Sequence, residues 1–352
     1  MNGRRSKIHS RKSQLKYNVM PVLQMRINIV GLVLLFITTG CNHGAPQDNA
    51  VENQVNPITD SDFLTQPLWN DGKAEIAFYK VEREFTTNGR TSKHEYWAAT
   101  VLVKHDFNQR FMGKHELGEM NGLPTYDADK VSSFQWGFFD VNPDIFWHSG
   151  FVTFFIHAAQ ADLRPLLETQ TQISLEGNHY FALRFTPDGT VRRVWTGDAL
   201  TAPDTTFAYR SHAYPVPLIP LLVRALNFSK TKRHEFWVLY PLPKASYVRA
   251  RAEMIGTDEV ETPEGSITSE QIVVRYAERL YYPNGILRHY ALEETYWRSV
   301  ELNRQILKLE TQEYDVGGDT IKHRLVLMEQ LRSQWWREDV KSRLKHVPIG
   351  IF

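Results

Sequence analysis

The sequence has a single cysteine, Cys41, in 352 residues. An intrachain disulfide framework, a cysteine zinc cage and a cysteine-ligated iron–sulfur cluster are therefore excluded. Charge of one sign is also lacking: 41 Lys+Arg stand against 40 Asp+Glu, a formal net charge of +1. There is no G-x-S-x-G, no G-x-x-x-x-G-K-[ST], no G-x-G-x-x-G and no H-E-x-x-H. The usual signatures of a serine elbow, a phosphate loop, a dinucleotide site and a zinc helix are thus missing. No apolar run reaches the ~20 residues of a relaxed membrane-spanning helix. What is present is apolar and aromatic, 42% and 12% of the chain. That is enough buried surface to exclude a mainly disordered protein.

The near-neutral charge hides an uneven distribution. Residues 1–40 carry Arg4, Arg5, Lys7, Arg11, Lys12, Lys16 and Arg26, with no Asp or Glu. An apolar run over residues 27–39 follows, then Gly40 and Cys41. A basic start, a short apolar stretch and a small residue describe a secretory signal over 1–40. The run is too short for about 30 Å of hydrocarbon, which makes a permanent anchor the weaker reading. Met1, Met20 and Met25 are candidate starts, and Met25-Arg26 with the apolar run is itself a complete short signal. Residues 41–62, rich in Asn, Gln, Asp and Pro, read as a polar tether. Without residues 1–40 the chain has 312 residues, with 34 basic against 40 acidic, a net charge of −6.

Beyond residue 63 the dominant period is two. Residues 73–82 alternate as a strand, Asn88-Gly89 marks a tight hairpin, and residues 96–103 return. Pro187-Asp188-Gly189 and Pro283-Asn284-Gly285 are two further turns between apolar or aromatic flanks. Strands are expected at 134–139, 151–157, 172–175, 234–240, 248–255, 271–276, 287–295, 305–313 and 320–328, the last also fitting a helical stripe. Residues 219–226, with Pro220 near the start, and residues 158–167 are the helix candidates. The expectation is a mainly β fold: a large antiparallel sheet, half-barrel or barrel-like, with one or two short helices. An N-terminal β half (64–212), a Pro-rich connector with a short helix (213–228), a C-terminal β half (229–330) and a tail (331–352) are expected.

Two motifs carry a resemblance. Thr38-Thr39-Gly40-Cys41 resembles the lipobox of bacterial lipoproteins, although Thr38 stands where that family favours Leu. The resemblance implies diacylglyceryl transfer to the Cys41 thiol, cleavage before it and acylation of the new amino terminus. Asn42 is not the Asp of an inner-membrane retention signal, which points to the outer membrane. The element from Gly256 to Ser266 resembles one in uncharacterised bacterial envelope proteins built as a curved antiparallel sheet, loosely similar to half of a lipocalin or lipoprotein-carrier barrel. Trp69-Asn70-Asp71-Gly72-Lys73-Ala74-Glu75-Ile76 is similar to the opening of small lipoproteins, some named "septum formation inhibitor Maf". That name implies a nucleotide pyrophosphatase with Ser-Pro-Arg-Arg, a tetrapeptide that does not occur here. No catalytic residue is carried over.

The informative side chains are aromatic. Phe134, Trp136, Phe138, Phe151, Phe154 and Phe155 form a candidate apolar ligand face, as in the mouths of small barrels. The alternatives are an ordinary sandwich core and a protein-binding face. His148 and His157 bracket one of these strands and read as hydrogen-bonded strand-end groups rather than metal ligands. Arg192, Arg193, Arg249 and Arg251 are balanced by Glu253, Glu259 and Glu261, so no basic stripe points to nucleic acid. No catalytic, cofactor or metal residue is assigned. The expected function is a membrane-anchored exported lipoprotein of the bacterial envelope that binds a hydrophobic ligand, lipid or partner protein. An envelope hydrolase and an assembly factor without a pocket are the alternatives.

Overall fold

The computed structural model describes residues 58–108, 130–140, 151–174, 177–196, 205–240, 246–277, 282–284, 287–314, 319–334 and 338–348. All lie in one compact unit, Val55–Phe352. Residues 1–57, with the expected signal, Cys41 and most of the tether, lie outside the described residues.

The chain enters through a four-residue helix α1 (Ser61–Leu64), whose N-cap Asp60 accepts from the backbone of Asp62. Eight strands follow: β1 (Ala74–Thr87), β2 (Arg90–Asn108), β3 (Lys130–Asp140), β4 (Phe151–Ala159), β5 (Pro165–Ser174), β6 (Gly177–Phe185), β7 (Thr190–Thr196) and β8 (Thr205–Ala208). After a short β9 (Ala213–Pro215) comes helix α2 (Ile219–Ala225). The second run is β10 (Arg233–Tyr240), β11 (Ser246–Thr262), β12 (Gly265–Tyr276), β13 (Tyr282–Asn284), β14 (Leu287–Ser299), β15 (Ile306–Tyr314) and β16 (Thr320–Ser333). The turn chemistry acts as expected at Asn88 and Gly89, which take φ of 50° and 73° between the paired Thr87 and Arg90. Gly189 likewise takes φ 79° between β6 and β7.

All sixteen strands join one sheet in the order β8-β7-β6-β5-β4-β3-β2-β1-β16-β15-β14-β12-β11-β10-β9, with β13 on β14. The first and last strands therefore pair at its middle, Ala74 opposite Ser333. One pair, β9–β10, is parallel, which makes the sheet mixed. A flat array of fifteen strands would hold its edges about 67 Å apart at ~4.8 Å per strand. Yet β8 and β9 are the two edges, joined by residues 209–212, and four residues span at most about 18 Å. The sheet must roll.

It rolls past its own edge without closing into a barrel. Phe236, Val238 and Tyr240 of β10 face the main core, while Leu239 faces the other way. There it packs on Phe181, Leu183 and Phe185 of β6 and Val191 of β7. Strands β6 to β8 thus overlie the outer face of β10 and β11. Tyr247 of β11 seals this overlap, donating to the Ala208 carbonyl at 2.6 Å and meeting Phe207 edge-on.

Two expectations change and one choice is settled. Residues 158–167 are not helical: Ala159 ends β4, Leu163 turns at φ 58°, and β5 starts at Pro165. Pro165 has no N–H to donate to a preceding turn, which opposes a helix through it. The strand expected at 172–175 begins seven residues earlier, and residues 320–328 lie in a strand, β16. In the tail, Val340, Leu344 and Val347 cover the outer face of β1 through Ala74, Ile76 and Phe78. Buried Glu329 fixes it by accepting the backbone N–H groups of Lys345 and His346.

Candidate functional site

Within the described residues, the hollow of the roll is filled by α2 and the N-terminal segment. Leu221, Leu222, Val223 and Ala225 are fully buried, packed with Phe63, Leu64 and Trp69 against Leu102, Phe134, Trp136, Ile156, Val274 and Tyr296 of the wall. Trp69 is set by its indole, which donates to the Phe63 carbonyl at 2.7 Å. Its ring meets Phe63 and Phe134 edge-on at 5.5 and 5.6 Å.

The alternation of β3 divides the candidate apolar face. Phe134 and Trp136 are buried in the core, and Phe138 continues that face at the next alternate position, half-buried. Phe154 is paired with Phe138 in register, and Phe151 begins β4; their side chains lie outside the described ones. Phe155 pairs with Gly137 and belongs to the opposite face. A Cβ on Gly137 would lie 3.1 Å from the Phe155 ring and 3.2 Å from Phe139, so the missing side chain is what lets the ring lie there.

Sequence reasoning missed the polar lattice that holds α2. Arg224, wholly buried, pairs with buried Glu75 of β1 at 2.7 Å and donates to the Asn303 carbonyl at 2.6 Å. Arg298 of β14 donates to the carbonyls of Val223, Arg224 and Leu226 at 2.8–3.1 Å and pairs with Glu270. It takes up the carbonyls that a helix end leaves without intrahelical partners. Residues 58–60 are joined to the same end: Asp60 N–H donates to Ala225, Asn227 N–H donates to Ile58, and Arg304 pairs with Asp60. None of these partners is near its mate in sequence, so no local pattern could reveal them.

The inner wall carries a buried acid, Glu168, with no cation beside it among the described residues. Glu168 of β5 stands between Ile156 and Leu183 in register, and its Oε2 has no hydrogen-bond partner. Burial pushes its pKa up to about 8. On the other face, the His105 and His157 rings meet through Nε2 and Nδ1 at 3.1 Å. Burial, with His105 alongside, lowers the His157 pKa to about 4. Among the described residues no third ligand completes a metal site.

Among the hollows at the surface of the described residues, two bear on ligand binding. One, about 80 Å³, lies between Ile58, Asp162, Arg164, Tyr209, His212 and Tyr214. It is well below the roughly 300–1,000 Å³ of small-molecule pockets. The other, about 530 Å³, is bounded by Phe85, Thr87, Asn88, Arg90, Thr91 and Ser92. It has the volume but no opposing wall, since all six residues belong to one hairpin.

The chain matches no known family, and no curated protein matches it. Among solved structures it is similar to a β-barrel-like protein of the domain of unknown function DUF1849 from Brucella abortus, at 7% identity and TM-score 0.42, covering 74% of this chain and 98% of that one. It is also similar to a DUF1329 family protein from Desulfovibrio piger, at 9% identity and TM-score 0.20, covering 78% and 92%. A third is a domain from Vibrio parahaemolyticus provisionally named for outer membrane lipoprotein sorting, at 10% identity and TM-score 0.20, covering 76% and 88%.

Proposed function

We propose that the chain is an exported envelope lipoprotein, anchored through Cys41, that binds a hydrophobic ligand or partner segment on the inner wall of its rolled sheet. In this reading residues 1–40 are the signal and 41–57 the tether, which is shorter than the 41–62 expected because residues 58–62 are built into the fold through Asp60 and α1, and α2 occupies the wall when no ligand is bound. The observation that carries it is the nature of the filling. The wall is apolar and aromatic, and what covers it is a seven-residue helix held at one end by ion pairs and carbonyl contacts. Such a helix can leave while the strand ladders stay intact. Phe134 and Trp136 are the wall residues that a ligand would meet once α2 and Trp69 move aside.

The test is native mass spectrometry and lipid extraction of the full chain purified from membranes, joined to hydrogen exchange after addition of a long-chain fatty acid. A bound amphiphile and faster exchange over 219–225 are expected. No bound amphiphile and no change in exchange would overturn the ligand reading. Cys41→Ala tests the anchor: membrane fractionation and incorporation of labelled fatty acid should both be lost. The packed interior also favours a second reading, an assembly factor without a pocket, which predicts a stoichiometric protein partner and unaltered α2 exchange with lipid.

A further inference from the structure

The outer face of β10 and β11 carries a group of side chains that the inner wall does not use. Trp237 of β10 and Arg249 of β11 are cross-strand neighbours in register. Arg210 lies in the link between β8 and β9, and that link is fixed by backbone: Trp237 N–H donates to His212 at 2.9 Å and Ala213 N–H donates to Arg210 at 3.2 Å. The Arg210 guanidinium stacks 3.3 Å from the centre of the Trp237 ring, and that of Arg249 lies 5.4 Å from it. The two charged carbons are no farther apart than those distances together allow. Both arginines are exposed and Trp237 is half-buried, at the lip of the overlap sealed by Tyr247.

The neighbouring acids are already taken. Glu235 pairs with Arg233, Glu253 with Arg251 and Arg275, and Glu293 with Arg275. Among the described residues neither Arg210 nor Arg249 has a carboxylate partner. Two unneutralised cations on one ring repel each other, and salt relieves that only in part at such short range. A guanidinium stacked on an indole keeps its N–H edge free, and the fork matches two oxygens of one oxyanion. A carboxylate would satisfy a single fork. A phosphate monoester or inorganic phosphate offers three or four free oxygens and up to two negative charges, enough for both forks, whereas a phosphodiester offers no more than a carboxylate.

We propose that Arg210, Trp237 and Arg249 form a binding site for a terminal phosphate, presented either by inorganic phosphate or by a phosphomonoester lipid headgroup. The site is independent of the apolar wall, so it stands or falls apart from the proposed ligand.

The test uses the full chain, the double variant Arg210→Gln/Arg249→Gln and the conservative pair Arg210→Lys/Arg249→Lys. Calorimetric titration with inorganic phosphate is compared with flotation on phosphatidic acid, phosphatidylglycerol and phosphatidylcholine vesicles, the lipidation-deficient Cys41→Ala background removing the anchor's own affinity. Saturable phosphate binding, weakened at least tenfold in the Gln pair and partly kept in the Lys pair, supports the site with a soluble ligand. Flotation on phosphatidic acid but not on the diester lipids, lost in the Gln pair, supports the site with a headgroup, and equal flotation on phosphatidylglycerol overturns that arm. Absence of both in the parent chain, or equal binding by a Gln pair with unchanged circular dichroism, overturns it. Because both arginines are exposed, the Gln pair should fold; if it does not, loss of binding in the single variant Arg249→Gln decides, and unchanged binding there overturns the site.

Discussion

At the scale of the residue, Glu168 and His157 set opposite pH dependences. For Glu168 the folded pKa, about 8, lies above the ordinary glutamate value of 4.5. Its contribution is fully present below the unfolded value and is lost as pH rises toward 8. Wild type should lose on the order of 3 kcal/mol between pH 5 and 8 from this group. Glu168→Gln should flatten that loss in urea titrations at a series of pH values, and an unchanged slope would refute the assignment. For His157 the sign reverses. Its folded pKa of about 4 lies below the ordinary histidine value of 6.5, so stability falls as pH drops from 6.5 toward 4. His157→Gln should move the acid midpoint to lower pH, and removal of His105 should act in the same direction but less. Neither feature was legible in sequence. Glu168 sits in a polar run, Thr169-Gln170-Thr171-Gln172, that gives no sign of burial. Its surroundings come from strands β4 and β6 on either side. The aromatic face was legible as buried at Phe134 and Trp136, because alternation fixes a shared face. Phe155 was grouped with them by proximity, whereas its register with Gly137 sends it to the opposite face.

At the scale of the element, turns, strands and the short helix α2 could be read, and the contacts that hold α2 in the roll could not. Asn-Gly demands positive φ at both positions and thereby sets a hairpin whatever surrounds it. A short helix has no such autonomy, since few-turn helices are marginal in water and rely on tertiary packing. Pro220 marked where α2 begins, but its stability rests on Glu75, Arg298 and Asn303, which are remote in sequence. Arg224→Met should strand Glu75 in the core and cost about 3–5 kcal/mol. The double variant Glu75→Gln/Arg224→Met should recover much of this, because a buried pair replaced as a unit leaves no lone charge. Thermal denaturation of the four forms gives the coupling, and strict additivity would show that the pair is not a unit. Phe134→Ala removes a wall ring that touches Trp69 and should cost about 3–5 kcal/mol in the same assay.

At the scale of the molecule, a two-part division of the β-rich sequence concealed how the parts join. Strand content and order of turns were readable because they are local. The pairing of β1 with β16 was not, since it links residues at opposite ends of the described chain. That pairing predicts a cooperative dependence on the last strand. A chain ending at Gly318 should show no cooperative urea transition, because β1 and β15 would each present a bare edge at the centre of the sheet. A peptide covering 319–352 should restore it in trans. A sharp transition in the shortened chain would mean that the two runs of strands fold without β16. The same adjacency bears on timing. If the chain is exported amino terminus first, as proposed, the middle of its sheet stays open until its final strand emerges. The native ladder then closes only after passage is complete, so the strand order itself keeps the polypeptide pliable for as long as the crossing lasts.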